Sequence, residues 1–276
     1  AGEALLGYCL QVSQLLAVLA PAKTRDMEAE LPKGAPAVTR PRMASRSKEL
    51  VGVLQEYSTG QLESLMSISP KLAEVNRDRW SSFGSRSNPK GPAAICFRGD
   101  VFQGFEAWTM KGKSLSWAQD HVRILSGLYG MLRPLDVIQP YRLEMGTALK
   151  TDSGKNLYEF WGDQVHKLLK KDMKEAGAEI LVNLASAEYS KVARVAELGC
   201  PVVDVKFLQV DKGKAKFITL FGKQARGLLA RWMADHRPKN LKDLQGFDSQ
   251  GYRFHAEDST DGVMVFTRPK PPPVRR

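Results

Sequence analysis

The chain has 276 residues, 43% of them hydrophobic and 26% charged, and its 41 Lys and Arg residues outnumber the 30 Asp and Glu residues, for a formal net charge of +11. This length and composition predict a globular protein that buries a sizeable core without disulfide or metal cross-links. They exclude intrinsic disorder, collagen and small disulfide-rich scaffolds. The basic balance indicates an acidic partner without identifying it.

The cysteines and histidines show no spacing typical of a disulfide framework or a metal site. Three cysteines, Cys9, Cys96 and Cys200, are odd in number and far apart, which favours a reducing compartment. The four histidines are isolated from one another. No Walker loop, GxGxxG after a strand or HExxH motif occurs. We therefore expect neither a metal nor another cofactor.

The two ends of the chain differ in composition from its body. Residues 4–20 are apolar but mixed with polar residues, and they are too short for a membrane span. Leu15–Leu19 is predicted as a buried strand that follows an extension, residues 1–14, for which an organelle-targeting remnant is one interpretation. Residues 268–276 are basic and proline-rich, which predicts a disordered or partner-docked tail. The domain is predicted to span residues 15–267, and both terminal segments are candidate contacts for protein partners.

Helical and strand patterns alternate along the body of the chain. Apolar periodicity and capping residues predict helices at 45–57, 59–66, 70–83, 116–125, 157–173 and 222–235. Apolar or β-rich runs predict strands at 15–19, 93–97, 179–184, 202–210, 215–221, 251–255 and 263–267. Gly213 can supply the positive φ of a hairpin after the fourth of these strands. The patterns predict an α/β (mixed α+β) single domain with a mixed sheet flanked by helices.

The densest set of glycine and charged residues lies at 123–146. There we predict a helix that ends near Leu125, a two-glycine hairpin, and a second short helix that starts before Pro134. Backbone N–H groups exposed at such a turn can bind a phosphate without reading bases. An ordinary helix corner with a glycine cap is the alternative. Arginines would supply positive charge around the turn: Arg123, Arg133 and Arg142.

Polar residues follow three predicted strands at their carboxyl ends, where α/β proteins tend to place ligand sites. Lys23 follows the first strand and Asp100 the second. Lys23 is predicted as a phosphate contact or, if desolvated, as a Schiff-base nucleophile that acts with Asp100 on a flipped base. A plain salt bridge is the alternative interpretation. The exit from the third strand carries groups that either order a cleft and bind a ligand or merely cap a turn: Asn183, Ser186, Glu188 and Tyr189.

The helix predicted at 222–235 and the hairpin before it form a basic surface that could follow a nucleic-acid backbone. A solvated cationic face is the alternative. The cations of this surface are Lys206, Lys212, Lys214, Lys216, Lys223, Arg226 and Arg231.

Six segments of the chain, spread in order from about residue 15 to residue 270, resemble the YaaA peroxide-stress family. They are Pro21–Thr24, Arg98–Val101, 125–146, 157–163, 183–189 and Ala225-Arg226-Gly227. The resemblance implies a single α/β domain of unusual topology, a positively charged cleft and a helix-hairpin-helix-like element that binds DNA. It also implies a role in limiting oxidative damage linked to intracellular iron. Bacterial members of this family are cytosolic.

Carried over by position, the resemblance places the helix-hairpin-helix-like element at 116–133. Its hairpin residues are Ser126, Gly127, Tyr129 and Gly130. The other residues predicted to bind nucleic acid are Lys23, Arg98, Arg123, Arg133, Arg142, Lys223 and Arg226. The cleft is predicted to be completed by Glu144, Asn183, Ser186 and Tyr189.

Three functions remain open from the sequence. The favoured one is binding of the phosphate backbone of duplex DNA. The second is an enzyme that acts on a nucleotide or damaged base with Lys23 and Asp100. The third is a mitochondrial or plastid homologue held in a larger assembly through its two terminal segments.

Overall fold

The computed structural model describes residues 15–271, so the predicted extension and the last five residues of the tail lie outside the described residues. The strands are β1 Leu15–Leu19, β2 Thr24–Arg25, β3 Gly91–Pro92, β4 Phe97–Arg98, β5 Val122–Ser126, β6 Gly130–Leu132, β7 Val137–Ile138, β8 Ile180–Leu184, β9 Val202–Asp211, β10 Lys214–Lys216, β11 Arg253–Phe254 and β12 Val263–Pro269. The helices are α1 Ala44–Gln55, α2 Thr59–Met66, α3 Pro70–Ser82, α4 Ala93–Cys96, α5 Asp100–Phe105, α6 Gly112–His121, α7 Leu157–Trp161, α8 Gln164–Ala176, α9 Ala187–Val192, α10 Thr219–His236 and α11 Leu241–Leu244.

A mostly parallel sheet forms the centre of the fold. Within residues 15–271 it has eight strands, in the order β11-β12-β9-β8-β1-β5-β6, with β10 paired to the end of β9. The strands β12, β9, β8, β1 and β5 run parallel, and β11, β10 and β6 pair antiparallel. Every residue of β1 is buried, as expected for a strand covered on both faces. The predicted mixed α/β class with a sheet flanked by helices is therefore confirmed.

Local sequence signals located several elements correctly. The helix α2 lies where the sequence predicts it, but its cap is Ser58, in a capping box with Gln61, and not the predicted Thr59. Ser69 caps α3, whose first residue is Pro70. The turn between β9 and β10 uses positive φ at both central residues, +50° at Lys212 and +74° at Gly213, as a tight hairpin requires.

Four predicted elements differ from the structure. The strand predicted at 215–221 ends at Lys216, and α10 begins at Thr219, before the predicted start at 222. The run predicted as a strand at 93–97 is mostly the helical turn α4, because apolar periodicity alone cannot separate a short buried strand from a buried helix. The helix predicted at 157–173 is broken into α7 and α8 at Gly162, where φ is +51°. The tail predicted from residue 268 begins later, because β12 continues beside β9 to Pro269 and Arg268 is buried.

The helix-hairpin-helix-like element predicted at 116–133 is corrected to a helix followed by a β-hairpin. The helix α6 ends at His121, and the next five residues form β5, which pairs with the central strand β1 on one side and with β6 on the other. All five residues of β5 are buried. Pairing with β1 completes the backbone hydrogen bonds of this segment, so the tertiary context outweighs the helical pattern. Residues 133–136 form a turn instead of a second helix.

The helices α5 and α10 cross with their backbones in contact. A Cβ atom at Gly227 would overlap the carbonyl oxygen of Val101, and one at Gly104 would overlap the carbonyl oxygen of Gln224. Only glycine permits this close approach at both positions. The crossing places the first turn of α5 beside the amino-terminal half of α10. Of the helices within residues 15–271, none combines the length and apolar character needed to cross a membrane.

Candidate functional site

A cleft of about 420 Å³ lies beside the carboxyl ends of β1 and β8. The segments that line it follow β1, β4 and β8, and they meet the loop 141–144 and the start of α10. Six cations and three carboxylates face it: Lys23, Arg25, Arg98, Arg142, Lys223, Arg226, Asp100, Glu144 and Glu188. The cleft therefore carries an excess of three positive charges, which favours an anionic ligand.

Ten of the residues predicted from the sequence line this cleft together. They are Lys23, Arg98, Asp100, Arg142, Glu144, Ser186, Glu188, Tyr189, Lys223 and Arg226. They come from five separate segments of the chain, which the sheet brings to one edge. The rule that ligand sites lie at the carboxyl ends of parallel strands located Lys23 and the residues after β8.

One carboxylate links two cations at the mouth of the cleft. The Nζ atom of Lys23 lies 2.6 Å from Oε2 of Glu144, and Nη2 of Arg142 lies 3.1 Å from Oε1 of the same carboxylate. The side chain of Lys23 is 58% exposed, whereas that of Arg142 is 17% exposed. Glu144 thus compensates part of the positive charge and holds Arg142 in place.

Arg98 is held by protein partners in β4, where it pairs with Thr24 of β2. Its guanidinium lies 2.9 Å from a carboxylate oxygen of Asp26, donates to the carbonyl oxygen of Ile95 at 2.6 Å, and sits 4.0 Å from the centre of the Trp108 ring. The next residue, Gly99, has φ +131°, a conformation that only glycine adopts readily. This turn leads directly into α5 and presents Asp100 to the cleft.

Arg25 is a structural residue of the site that the sequence did not single out. It donates to the carbonyl oxygens of Tyr141 and Ala22, and its guanidinium lies 3.9 Å from the centre of the Tyr141 ring. These contacts join the loop after β1 to the loop 141–144. The only signal for Arg25 was its position two residues after Lys23, in the same predicted loop.

The hairpin predicted to bind nucleic acid lies beneath the cleft and supports it. Ser126 Oγ and the Tyr141 hydroxyl share a hydrogen bond of 2.7 Å, and a Cβ atom at Gly127 would overlap the carbonyl oxygen of Leu143. The Gly127 carbonyl accepts a hydrogen bond from Trp161 Nε1 at 3.0 Å. Ser126 and Gly127 therefore pack against the back of the loop 141–144.

The other two hairpin residues are also interior. Tyr129 is 4% exposed, its hydroxyl accepts a hydrogen bond from the Gln139 backbone, and burial raises its pKa well above the usual value. Gly130 has φ +66° and packs against Met43 and Trp161. The structure thus buries all four predicted hairpin residues, so it offers no hairpin surface to a phosphate.

Arg123 belongs to a buried ion cluster and not to the cleft. It is 5% exposed and donates to Asp172, which also accepts two hydrogen bonds from Arg42, one of them 2.7 Å long. Burial by itself would raise the pKa of Asp172, but the hydrogen bonds and charges of Arg42 and Arg123 outweigh it and lower the pKa. Arg123 therefore stabilises the fold from the interior.

Two further predicted residues lie outside the cleft lining. Arg133 pairs with the buried Asp136 at 3.2 Å and closes the turn after β6. Asn183 is 9% exposed and donates from Nδ2 to Asp204 at 2.7 Å, which links β8 to β9. Both side chains thus bind to other residues of the protein at positions away from the cleft.

The residues after β8 shape the third wall. Glu188 accepts a hydrogen bond from the Gly146 backbone at 2.8 Å, and its carbonyl accepts one from the Tyr158 hydroxyl at 3.0 Å. Tyr189 is 7% exposed, and burial raises its pKa well above the usual value. Ser186 is the first residue before α9. This wall is rigidly connected to the segment that follows the loop 141–144.

The helix α10 contributes the cations that are most available to a ligand. Lys223 is exposed and Arg226 is half-buried. Within residues 15–271, neither side chain forms an ion pair. Burial lowers the pKa of Arg226, although the nearby charge of Asp204 acts in the opposite direction. Both cations therefore line the cleft outside any ion pair, with the charge of Asp204 acting on Arg226 from nearby.

The donor set of the cleft fits an oxygen-rich anion. Ammonium and guanidinium groups donate hydrogen bonds to phosphate or carboxylate oxygens, and arginine does so with two parallel bonds. Among the described residues, no group of three or more His, Cys, Asp or Glu side chains is arranged to hold a metal ion.

Comparison with known proteins places the chain among bacterial relatives. The family model described as peroxide stress protein YaaA matches residues 15–258. A UPF0246 protein of Phenylobacterium zucineum is 48% identical over 259 residues, which cover 94% of this chain and 97% of the relative. UPF0246 proteins of Idiomarina loihiensis and Dinoroseobacter shibae are 44% and 42% identical, over 92% and 93% of this chain and 98% and 96% of their own lengths.

These relatives give no support to the predicted mitochondrial or plastid location, because their sources are bacteria. The family match covers most of the chain, and it includes the cleft, α5 and α10. The chain therefore belongs to the YaaA peroxide stress protein family, also described as UPF0246.

Proposed function

We propose that the protein binds DNA through its cleft and thereby limits oxidative damage to DNA during peroxide stress. The observation that carries the proposal is the convergence of six cations and three carboxylates on one cleft. Membership of the peroxide stress family supports the physiological setting. The link to intracellular iron is then indirect, because the protein acts on the DNA that is damaged.

The distribution of ion pairs indicates which side chains contact phosphate first. Lys23 and Arg142 share the carboxylate of Glu144, whereas Lys223 and Arg226 have no paired carboxylate. A phosphate at α10 gains two cationic donors without breaking an existing ion pair. Cations that neutralise phosphates release condensed counterions, so the binding must weaken as salt is added.

The test is a salt titration of binding to a fluorescently labelled duplex and to the corresponding single strand, measured by anisotropy. We expect log K to fall linearly with log salt for the natural protein. Lys223→Gln and Arg226→Gln are each expected to reduce the slope by about one, because each removes about one phosphate contact. Lys171→Gln is the matched control, since Lys171 is 67% exposed but lies outside the cleft lining.

Two results would contradict DNA binding by the cleft. One is affinity that does not change with salt. The other is an equal loss of affinity in Lys171→Gln and in the two α10 variants, which would show a diffuse response to net charge.

A second candidate, an enzyme acting on a damaged nucleotide, is favoured by the proximity of an amine and a carboxylate. Lys23 and Glu144 are 2.6 Å apart, and Asp100 lines the same cleft. In such a reaction the neutral amine of Lys23 would attack the aldehyde carbon of an abasic sugar and form an imine with loss of water. Nucleophilic lysines are typically desolvated, however, and Lys23 is 58% exposed, which favours the binding function.

Borohydride reduction separates the two candidates. An imine with abasic DNA would be trapped as a covalent complex in the natural protein and lost in Lys23→Met. We expect no trapped complex, together with reversible, salt-dependent binding. A trapped complex that requires Lys23 would replace the binding function by the enzymatic one.

A further inference from the structure

A ridge of exposed apolar side chains stands between β10 and the first turn of α10. It consists of Phe217, Ile218 and Leu220, which are 53%, 38% and 53% exposed. Large apolar side chains that are clustered and half exposed mark an interaction surface more often than scattered ones do. The same helix carries Lys223 and Arg226 into the cleft, so the apolar ridge begins only a few residues from the cleft wall.

The aromatic ring of the apolar ridge rests on a glycine. A Cβ atom at Gly222 would overlap the edge of the Phe217 ring. Gly222 is buried and precedes Lys223 directly. The ring is therefore seated against the helix backbone while about half of the side chain remains open to solvent, as a platform for a flat ligand requires.

The chain segment that carries the apolar ridge has charges of one sign only. Between Asp211 and Asp235 the sequence contains no acidic residue. The same interval contains six cations: Lys212, Lys214, Lys216, Lys223, Arg226 and Arg231. The lysines of β10 are exposed. A ring surrounded by cations matches a ligand that alternates flat apolar groups with negative charges, and a single nucleic-acid strand has this pattern.

We propose that the apolar ridge is a base-stacking site, in which Phe217 stacks on an unpaired base while the lysines of β10 and α10 contact the flanking phosphates. The inference rests on the proposed DNA binding and names its substrate class, DNA with unpaired nucleotides. A cleft of about 420 Å³ has the volume of a small-ligand site, so its interior holds one nucleotide, whereas a duplex contacts only the cations at its rim. A nucleotide that enters the cleft must therefore be unpaired from the partner strand close to the protein.

The test uses oligonucleotides that carry one 2-aminopurine, a base whose fluorescence is quenched when it stacks on an aromatic ring. The labelled base is placed in a single strand, in a duplex and in a gapped duplex. Phe217→Ala is expected to abolish the quenching and to weaken binding of the single strand and gapped duplex by about 5- to 100-fold, the range for one lost base–aromatic stack. Duplex affinity and the salt slope should stay unchanged.

Three further variants make the result specific. Phe217→Trp should restore quenching, because a larger ring stacks at least as well. Gly222→Ala keeps the ring but displaces it, and an intermediate loss is expected. Val38→Ala is the matched control and should leave the quenching unchanged, since Val38 is a 46% exposed apolar side chain outside the apolar ridge and the cleft lining. Unfolding midpoints, measured in parallel, report whether each variant is folded.

The outcomes separate this inference from the proposed function. If Phe217→Ala binds the single strand like the natural protein while Lys223→Gln still weakens it, DNA binding stands and the stacking site is overturned. If the natural protein binds no DNA, both fail. If Phe217→Ala instead loses binding to vesicles that contain phosphatidylserine and keeps its oligonucleotide affinity, the apolar ridge is a lipid contact and the inference is overturned.

Discussion

Arginines occur in two regions of the molecule with opposite surroundings. In the buried cluster, Arg42 and Arg123 donate to one carboxylate, Asp172, whose side chain is completely buried. In the cleft, six cations face three carboxylates, and three of the cations, Arg25, Lys223 and Arg226, lack an ion pair within the described residues. The buried cluster is closed by its own hydrogen bonds, whereas the cleft presents donors to an incoming anion.

The comparison shows why residue type and position in a motif did not predict the role of each arginine. Arg123 and Arg142 lie in the same glycine-rich block of sequence, yet Arg123 is interior and Arg142 lines the cleft. The difference arises because β5 is a central strand, whereas 141–144 is a loop at the edge of the sheet. Exposure and charge balance, which depend on the fold, distinguish a binding side chain from a stabilising one.

The largest effect is expected from breaking the buried cluster. Asp172→Asn leaves the buried Arg123 and the partly buried Arg42 without a charged partner, so the free energy of unfolding should fall by about 3–5 kcal/mol. Chemical denaturation measures this change. The DNA affinity of the folded fraction should remain near that of the natural protein. A large loss of affinity in folded Asp172→Asn would mean that the two regions are coupled.

The same carboxylate gives the cluster a pH dependence. The pKa of Asp172 is lower in the folded protein than its ordinary value, so its contribution to stability is present above about pH 4 and is lost as acidification approaches the folded-state pKa. The stability difference between the natural protein and Asp172→Asn should therefore shrink in acid. A constant difference between pH 7 and strongly acidic pH would contradict this assignment.

A smaller effect is expected at the crossing of α5 and α10. Gly227→Ala forces a methyl group into the Val101 carbonyl oxygen, so the helices must separate, at a cost of about 1–3 kcal/mol in unfolding free energy. DNA affinity should also fall, because the separation moves Lys223 and Arg226 relative to Asp100. Gly52→Ala is the matched control, since Gly52 lies inside α1 with no atom within 4 Å of a new Cβ. It should leave affinity unchanged and slightly stabilise the helix.

The smallest effect is expected at the hairpin beneath the cleft. Ser126→Ala removes the hydrogen bond with Tyr141 and the one that Ser126 Oγ accepts from the Tyr129 backbone, and it should lower the unfolding free energy by about 1 kcal/mol. The salt slope of DNA binding should not change, because Ser126 is completely buried. If Ser126→Ala instead reduced the slope by about one, the hairpin would have to be part of the DNA-binding surface.

The parts of the fold that follow from local chemistry could be predicted from the sequence. Ser69 caps α3 through its own side chain, and the apolar run of β1 identifies a buried strand. The segment 122–126 could not be predicted in this way. Its conformation depends on pairing with β1, which lies about a hundred residues earlier in the chain.

The candidate site was predictable to a similar extent. Lys23 follows a strand that the sequence shows clearly, so its place at the edge of the sheet could be expected. Arg25 and Tyr141 could not be paired beforehand, because the two-residue strand β2 and an irregular loop bring them together. The burial of Tyr129 and Gly130 could not be predicted from the sequence either, since glycine and tyrosine occur both in exposed turns and in packed ones.

The glycine contacts between α5 and α10 have a mechanical consequence. Helices that meet backbone to backbone cannot slide past each other without lifting apart, because each carbonyl oxygen is already against the opposite chain. Asp100 and the pair Lys223 and Arg226 are thus carried on one rigid body. The aperture between them is set when the protein folds. A ligand is then selected by whether it fits a pre-organised opening, and binding pays little conformational entropy on this side.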